Sequence, residues 1–489
     1  MIKFYKADKD NTITNAFSLG IKNRATGSNM GASDIMEVFS IYGQGSGSDG
    51  YSQELSRAII QFDVQSIIAD RNSGLLPASG SVQFRLRMFN AKHVEMTPKD
   101  YELAVHPLTE SWQEGYGLDM DTYKDKSYDN FGSNWIRRSG NTSWSTVGGS
   151  YDNSVVYSQS FPVGTEDLDI DVSATVESWI GGGLTNNGFM VKLGETYEAY
   201  YSASSGANTG SLIHNLSGLK QTKYTKNFFG RGSEFFHKVP VIQAIWDDVK
   251  YDDRGGFVPS SSLAPSADNI NKIKFYNYQR GRLVDIPGTP TLTVDIYSSS
   301  NGVPAGSSLG TFSVSKESTG VYVSDVHVAT SLSSLNDVWS TSSTELFTGS
   351  IRVKQSTNYQ KNTNDDYVVS LIGNKKVYQN TGDERFRVHF RKKDWTPTLY
   401  DVAVNTVDTE YLRSASYSVY RDVDDLEVIS HNTGSYNGTL MSYNTSGSYF
   451  DLDMSSFESG YSYYFKFAVY DGFAGNFVEL PKKFRFKIK

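Results

Sequence analysis

Along much of the chain, apolar residues fall on every second position. The stretch SVQFRLRMFN (81–90) sets Val82, Phe84, Leu86 and Met88 against polar or charged neighbours, and TLTVDIYS (291–298) puts Leu292, Val294 and Ile296 on one face. VYVSDVHV (321–328) and YYFKFAVYD (463–471) repeat the pattern. A period of two with one apolar face predicts half-buried antiparallel strands. Between such runs, GQGSGSDG (43–50), SSSNGVPAGSS (298–308) and HNTGSYNG (431–438) supply the small polar residues and glycines of turns. This rhythm predicts β-sandwiches rather than βαβ units.

Helical signals are few. In DVSATVESWIGGG (171–183), Ser173 can cap, Thr175, Val176, Trp179 and Ile180 fall at helical spacing, and glycines end the run. SDIMEVFSIY (33–42) fits a short helix or a strand equally well. LSRAIIQFDVQSI (55–67) reads as a strand with Phe62 and Val64 pointing inward. Composition shifts then place the boundaries. A first unit spans about 1–200, followed by the break SASSGANTGS. An aromatic-rich inter-domain segment spans 211–265 and contains FFGRGSEFFHKVPVIQAIWDD. Two further β units span about 270–360 and 367–489, the latter entered through STNYQKNTNDD. No internal repeat is evident.

Composition sharpens this picture. With 489 residues, three domains of the usual ~100–200 residues are expected. Gly 43, Tyr 32 and Phe 27 against Met 9 and Pro 12 make an all-β composition. The 46 basic and 54 acidic residues leave a net charge of −8, which argues against nucleic-acid binding. The absence of cysteine excludes disulfide scaffolds, thiol catalysis, Cys-type zinc sites and iron–sulfur clusters. The opening MIKFYKADKDNT lacks an apolar core of signal-peptide length, so no signal-peptide secretion is expected. No apolar run approaches the roughly 18 residues of a membrane helix, so no membrane insertion is expected.

Candidate chemistry concentrates in LTESWQEGYGLDMD (108–121). Glu110 and Glu114 could be the paired carboxyls of a glycosidase. Trp112, Tyr116, Trp135 and Trp144 could be stacking platforms for a sugar. Asp119, Asp121 and Asp125 offer hard oxygen ligands for Ca²⁺, though the spacing is not that of an EF-hand; no other cofactor is expected. The acids of DLDID (167–171) should face solvent by strand alternation. Trp179 and Trp246 read as core. The seven histidines are scattered without zinc-type pairing. The single G-x-S-x-G match, at Gly306, Ser308 and Gly310, lies in a hairpin rather than on a strand-to-helix turn. Arg231, Phe235, Phe236, Trp246 and Arg254, in the aromatic-rich segment, read as domain cement or subunit docking, with Arg231 or Arg254 paired to acids.

Several motifs occur in an order that resembles a known family. LSRAIIQFDVQSI is followed by LPASGSVQFRLRMF, then LTESWQEGYG, DLDIDVSATVESWIGGG and NNGFMVKL. This resembles the DNRLRE-type β-sandwich, a relative of carbohydrate-binding modules. The resemblance implies a jelly-roll-like first domain plugged by the 173–180 helix, over about the first two fifths of the chain. The chain departs from it at LDMDTYKDKSYDNFGSNWIRRSGNTSW (118–144), an insertion that unsettles any carried-over ligand site. The last two units resemble immunoglobulin or fibronectin-like sandwiches, and SGYSYYFKF resembles a tyrosine corner with Tyr461 or Tyr463 as its residue. Taken with KNFFGRGSEFFHKVPVIQAIWDD, DDRGGF and KIKFYNYQRGRLVDIPG, the whole chain resembles virion structural proteins of marine tailed phages of cyanophage type. That implies a non-enzymatic tail, neck, fibre or head-surface component, assembled in host cytoplasm and released with the particle. Its partners would be other virion proteins, further copies of itself and host-surface glycan. The alternatives are a carbohydrate-binding module protein and a polysaccharide-degrading enzyme acting through Glu110 and Glu114.

Overall fold

The computed structural model describes residues 1–17, 24–45, 51–92, 99–118, 131–198, 200–202, 211–213, 222–288, 290–342, 344–354, 367–393, 399, 409–471 and 475–489. The chain is nearly all β, as the two-residue rhythm predicts, and builds tandem sandwiches. It divides into two compact units, a first of Ile2–Trp246 and a second of Asp247–Lys489 with Met1.

The first unit holds fourteen strands among its described residues: β1 Ile2–Thr14, β2 Ile35–Gly45, β3 Tyr51–Phe62, β4 Val82–Met88, β5 Tyr101–Pro107, β6 Arg137–Ser139, β7 Thr142–Ser143, β8 Tyr157–Phe161, β9 Leu168–Asp171, β10 Phe189–Leu193, β11 Tyr200–Ser202, β12 Ser211–Ile213, β13 Thr222–Phe229 and β14 Val241–Trp246. Ten of them run in the order β8-β5-β10-β3-β1-β14-β4-β9, with β2 beside β3 and β13 beside β2. β1 binds the two halves. Its residues 2–6 pair with β14, and after a register shift between Ala7 and Lys9 its later residues pair with β3. A bulge of this kind lets one strand pass from layer to layer. β4 alternates as its sequence dictates, with Val82, Phe84, Leu86 and Met88 all buried.

Two helices close this unit. Asp63 ends β3 and caps α1 (Val64–Ser73), its carboxylate accepting the Gln65 N–H at 3.0 Å. Val64 is therefore the first helical residue and not an inward strand position. The second helix, α2 (Ser173–Ile180), falls where its spacing predicts and buries Thr175, Val176 and Trp179. Ser173 does not cap it: the cap position is Val172, and the Ser173 hydroxyl instead accepts the Phe84 N–H at 2.8 Å. Arg71 and Glu177 join the two helices at 2.8 Å. The ambiguous 33–42 stretch is strand β2, paired along its length with β13.

The first unit runs past the boundary near 200 set by composition. β13 and β14, both inside the expected inter-domain segment 211–265, are integral strands of its sheet. The Ser/Gly-rich composition near 202–211 therefore does not mark the boundary between the units.

The second unit contains two sandwiches of the Ig-like kind expected from the sequence. In the first, strands 271–276, 321–326 and 315–318 face strands 303–313, 292–300, 334–341 and 345–352. Its core holds Ile273, Phe275, Val294, Ile296 and a fully buried Trp339. The second sandwich sets strands 367–372, 383–392, 447–453 and 442–444 against a sheet built on 377–378, 484–488, 462–471, 415–421 and 426–429. That core is aromatic, with Tyr417 stacked on Phe450 at 4.1 Å and Phe465 on Phe486 at 4.6 Å. Tyr463 is its tyrosine corner: buried, it accepts the Glu458 N–H at 2.9 Å and reaches the Glu458 carbonyl at 3.2 Å. Among the described residues no helix is long and apolar enough to cross a membrane.

Candidate functional site

Two buried asparagines tie the stretch 108–118 and the segment at Ser133 into the first unit. Asn29 donates to the Glu114 carbonyl at 2.6 Å and accepts the Gly117 N–H at 2.9 Å. Asn11, on β1, donates to the Ser133 carbonyl at 3.0 Å and accepts the Met30 N–H at 3.0 Å. The strands are too close here for side chains: a Cβ on Gly117 would overlap the Asn29 backbone carbonyl.

This packing overturns most of the sugar platform. Trp112, Trp135 and Trp144 are 4%, 7% and 4% exposed and form one cluster with Ile13, Leu55, Ile59, Leu108 and Met190. The Trp112 indole N–H is spent on the Asn187 carbonyl at 2.9 Å and that of Trp144 on the Asn134 carbonyl at 2.9 Å. Rings buried on both faces cannot stack on a sugar; these three are core. Tyr116 alone stands out, 72% exposed, with the half-exposed Phe131 ring stacked on it at 4.9 Å and 10°. Trp179 and Trp246 are buried, as core residues should be.

The two glutamates belong to separate networks. Glu110 accepts the Ser145 N–H at 2.9 Å and the Ser145 hydroxyl at 3.1 Å. Its slight burial opposes ionisation, but the Ser150 and Ser145 hydrogen bonds outweigh this and hold its carboxyl below the usual range. Glu114 receives the Arg231 guanidinium in a two-pronged bond of 3.1 and 2.8 Å and the Asp10 N–H at 2.9 Å. Arg231 also donates its backbone N–H to the Asp10 carboxylate. Asp10 is buried there; desolvation, with Glu114 adding repulsion, pushes its carboxyl up to about 7 against the pull of Arg231.

The acids expected for Ca²⁺, Asp119, Asp121 and Asp125, lie outside the described residues. Among the described residues no group of three or more acidic or histidine side chains is arranged for a metal. Asp167, Asp169 and Asp171 face solvent as their alternation predicts. Gly306, Ser308 and Gly310 lie within a strand, Val303–Ser313, not in the turn that precedes it.

The docking residues divide between the units. Arg231 serves the first unit through Glu114, and Phe235 sits edge-on to Phe229 at 5.3 Å, half exposed. Phe236 lies under the Lys6 ammonium at 3.0 Å. Trp246 is a buried strand residue. Arg254, in contrast, is the centre of a buried clasp inside the second unit. Its guanidinium reaches Asp337 at 2.6 and 3.0 Å and Asp252 at 3.4 Å, and all three side chains are buried. Burial pushes the Asp252 carboxyl up to about 6 despite Arg254. The Trp339 indole donates to the same Asp337 oxygen at 2.6 Å. Next door, Asp253 accepts the Lys272 N–H at 2.7 Å, the Tyr443 hydroxyl at 2.5 Å and the Arg413 guanidinium at 3.1 Å. Adjacent residues thus grip one sandwich through Arg254 and both through Asp253. Backbone bonds extend the grip, from Asp252 N–H to the Tyr443 carbonyl at 3.0 Å and from Phe257 N–H to the Arg352 carbonyl at 3.1 Å. A Cβ on Gly255 would overlap the Tyr411 ring, so this turn requires glycine.

A cavity of about 280 Å³ adjoins the clasp, lined in part by Asp253, Asp268, Lys354, Tyr411, Arg413 and Tyr443. Its cations already have partners: Arg413 holds Asp253, and Lys354 holds Glu410 at 3.1 Å. Sequence reading places Arg254 against acids but misses Asp337, Tyr443 and Arg413. The available signal is the run DDRGG itself, two acids and an arginine beside glycines in a segment rich in aromatics.

No protein-family model and no curated protein sequence matches the chain. Among solved structures, the chain is similar to the adhesin InvE of Yersinia pseudotuberculosis at 12% identity and a TM-score of 0.16, over 48% of this chain and 57% of that one. It is similar to the Escherichia coli adhesin FdeC at 8% identity and a TM-score of 0.16, over 62% and 77% of the two chains. A titin fragment matches at 8% identity and a TM-score of 0.16, over 50% of this chain and 97% of that one. The chain thus spans little more than half the length of the first of these adhesins. Likenesses this distant carry no weight for what the protein does.

Proposed function

We propose that the chain is a non-enzymatic structural component of a tailed-phage virion, a tail, neck, fibre or head-surface protein serving particle assembly or host contact. The observation that carries this reading is the use made of its charged side chains. Glu114 is clamped by Arg231, Asp337 by Arg254, and Asp253 by Tyr443 and Arg413, each joining segments far apart in sequence. The first two pairs hold segments within one fold, and Asp253 joins the two sandwiches of the second unit. A glycosidase needs one carboxyl held protonated beside a second held ionised. Glu110 is held ionised and Glu114 is fixed in an ion pair, which disfavours that chemistry at this pair. The marine-phage resemblance of the sequence supports the particle assignment. Other particle proteins and further copies of the chain are the proposed partners. A host-surface glycan would meet the exposed Tyr116–Phe131 pair.

The test is to assemble particles carrying Glu110→Gln and Glu114→Gln and to assay the purified chain on a polysaccharide panel. Intact, infectious particles and no hydrolysis are expected. Turnover of a polysaccharide that is lost in Glu114→Gln would overturn the reading.

A further inference from the structure

Lys226, on β13, is fully buried, and its ammonium group faces three oxygens: the Asn90 side-chain carbonyl at 2.7 Å, the Glu166 carbonyl at 2.6 Å and the Gly164 carbonyl at 3.1 Å. The Phe161 and Phe228 rings wall it in, at 5.1 and 5.2 Å. The site is built rather than incidental. The segment after β4 runs beside β13, with Asn90 bridged to Phe228, the Ala91 N–H on the Asn227 carbonyl at 2.9 Å and the Phe229 N–H on the Phe89 carbonyl at 3.0 Å. Asp167 accepts the Asn90 backbone N–H at 2.7 Å. The Glu166 carboxylate takes the Val163 and Gly164 N–H groups at 2.7 Å each, fixing the loop whose carbonyls hold the amine.

We propose that Lys226 and Asn90 form an intramolecular amide, the Lys226 Nζ displacing the Asn90 side-chain nitrogen as ammonia. The geometry favours it because three acceptors fix the three ammonium hydrogens. Loss of a proton frees the Nζ lone pair, and the Asn90 carbonyl oxygen in contact at 2.7 Å sets the attached Cγ within reach of a small shift of Nζ. Burial pushes the Lys226 ammonium down to about 8 against the pull of Glu166 and Asp167, which makes the neutral amine accessible at mildly alkaline pH. The step balances without a co-reactant. Nζ bonds to Cγ, the Cγ–Nδ2 bond breaks, and a proton from Nζ leaves on Nδ2 as ammonia. A pre-set contact at 2.7 Å supplies the proximity that an amide exchange between free groups lacks. The product ties β13 covalently to the segment after β4, a cross-link suited to a chain that must hold its shape under load.

The test is the intact mass of the full-length chain after incubation at pH 8, followed by tryptic mapping. The expected mass lies about 17 Da below that of the sequence. MFNAK (88–92) should appear branched onto YTKNFFGR (224–231). Lys226→Arg, which keeps a buried cation, and Asn90→Ala should both restore the full mass. A wild-type mass equal to that of the sequence overturns the proposal. So does a loss of the same size that maps to succinimide at an Asn–Gly pair such as Asn437–Gly438, with MFNAK recovered unbranched.

Discussion

Asp10 offers a quantitative check on the first unit. Its side chain is 2% exposed, its own N–H is given to Glu114, and its carboxylate takes the Arg231 N–H. Burial raises its proton affinity so that it titrates at about 7 in place of 3.8. An acid raised on folding binds more protons in the native than in the unfolded chain between those two values. Stability therefore falls as pH rises from about 4 to about 7 and is level above. The gap corresponds to a factor of about a thousand in proton affinity, or about 4 kcal/mol as a ceiling. Asp10→Asn keeps an oxygen for the Arg231 N–H and removes the buried charge. The variant should gain up to about 4 kcal/mol over wild type at pH 8 and nothing near pH 4. Urea unfolding of the full chain followed by tryptophan emission reports chiefly on this unit, since five of the seven tryptophans lie within residues 2–246. A variant less stable than wild type at pH 8, or a difference that does not change with pH, would refute the reasoning.

Other expectations follow from the same packing. Arg254→Met strands the buried Asp337 carboxylate and should cost about 3–5 kcal/mol, read as faster hydrogen exchange across 251–257 and 334–339; the Arg254→Met/Asp337→Leu double variant should recover much of the loss. Trp112→Ala should cost about 3–5 kcal/mol in urea unfolding because the ring is core, whereas Tyr116→Ala should stay within ~0.5 kcal/mol and change only adsorption to glycan-coated surfaces. Tyr463→Phe should lower the stability of the second unit by about 1 kcal/mol in thermal unfolding, the worth of one corner hydrogen bond.

The strands were legible because their signal is local. β4, with one polar residue between each buried one, needs no tertiary knowledge to read. The α2 helix was legible for the same reason, through Val176 and Trp179 one turn apart. What was lost depends on distant partners. β14 looks like a linker by composition and becomes sheet only because β1 and β4 lie on either side of it. α1 was hidden because only the single residue Asp63 separates IIQF from VQSII. Asp63 capping at that point and Gly74 closing the far end are its local marks. The tryptophans misled because a ring in a polar loop reads the same whether the loop folds inward or outward. The Asn11 and Asn29 side chains, far away in sequence, turn this one inward. Arg254 was legible as an ion-pair residue because its segment is dense in acids, but its partner Asp337 lies 83 positions away.

The proposed particle assignment meets its most direct test in quantitative mass spectrometry of density-purified virions of a phage that carries this sequence. The account predicts peptides from both units, 2–246 and 247–489, at a constant multiple of the major capsid protein through successive purifications. Virions from which the chain is absent, with the protein confined to the lysate, would contradict it.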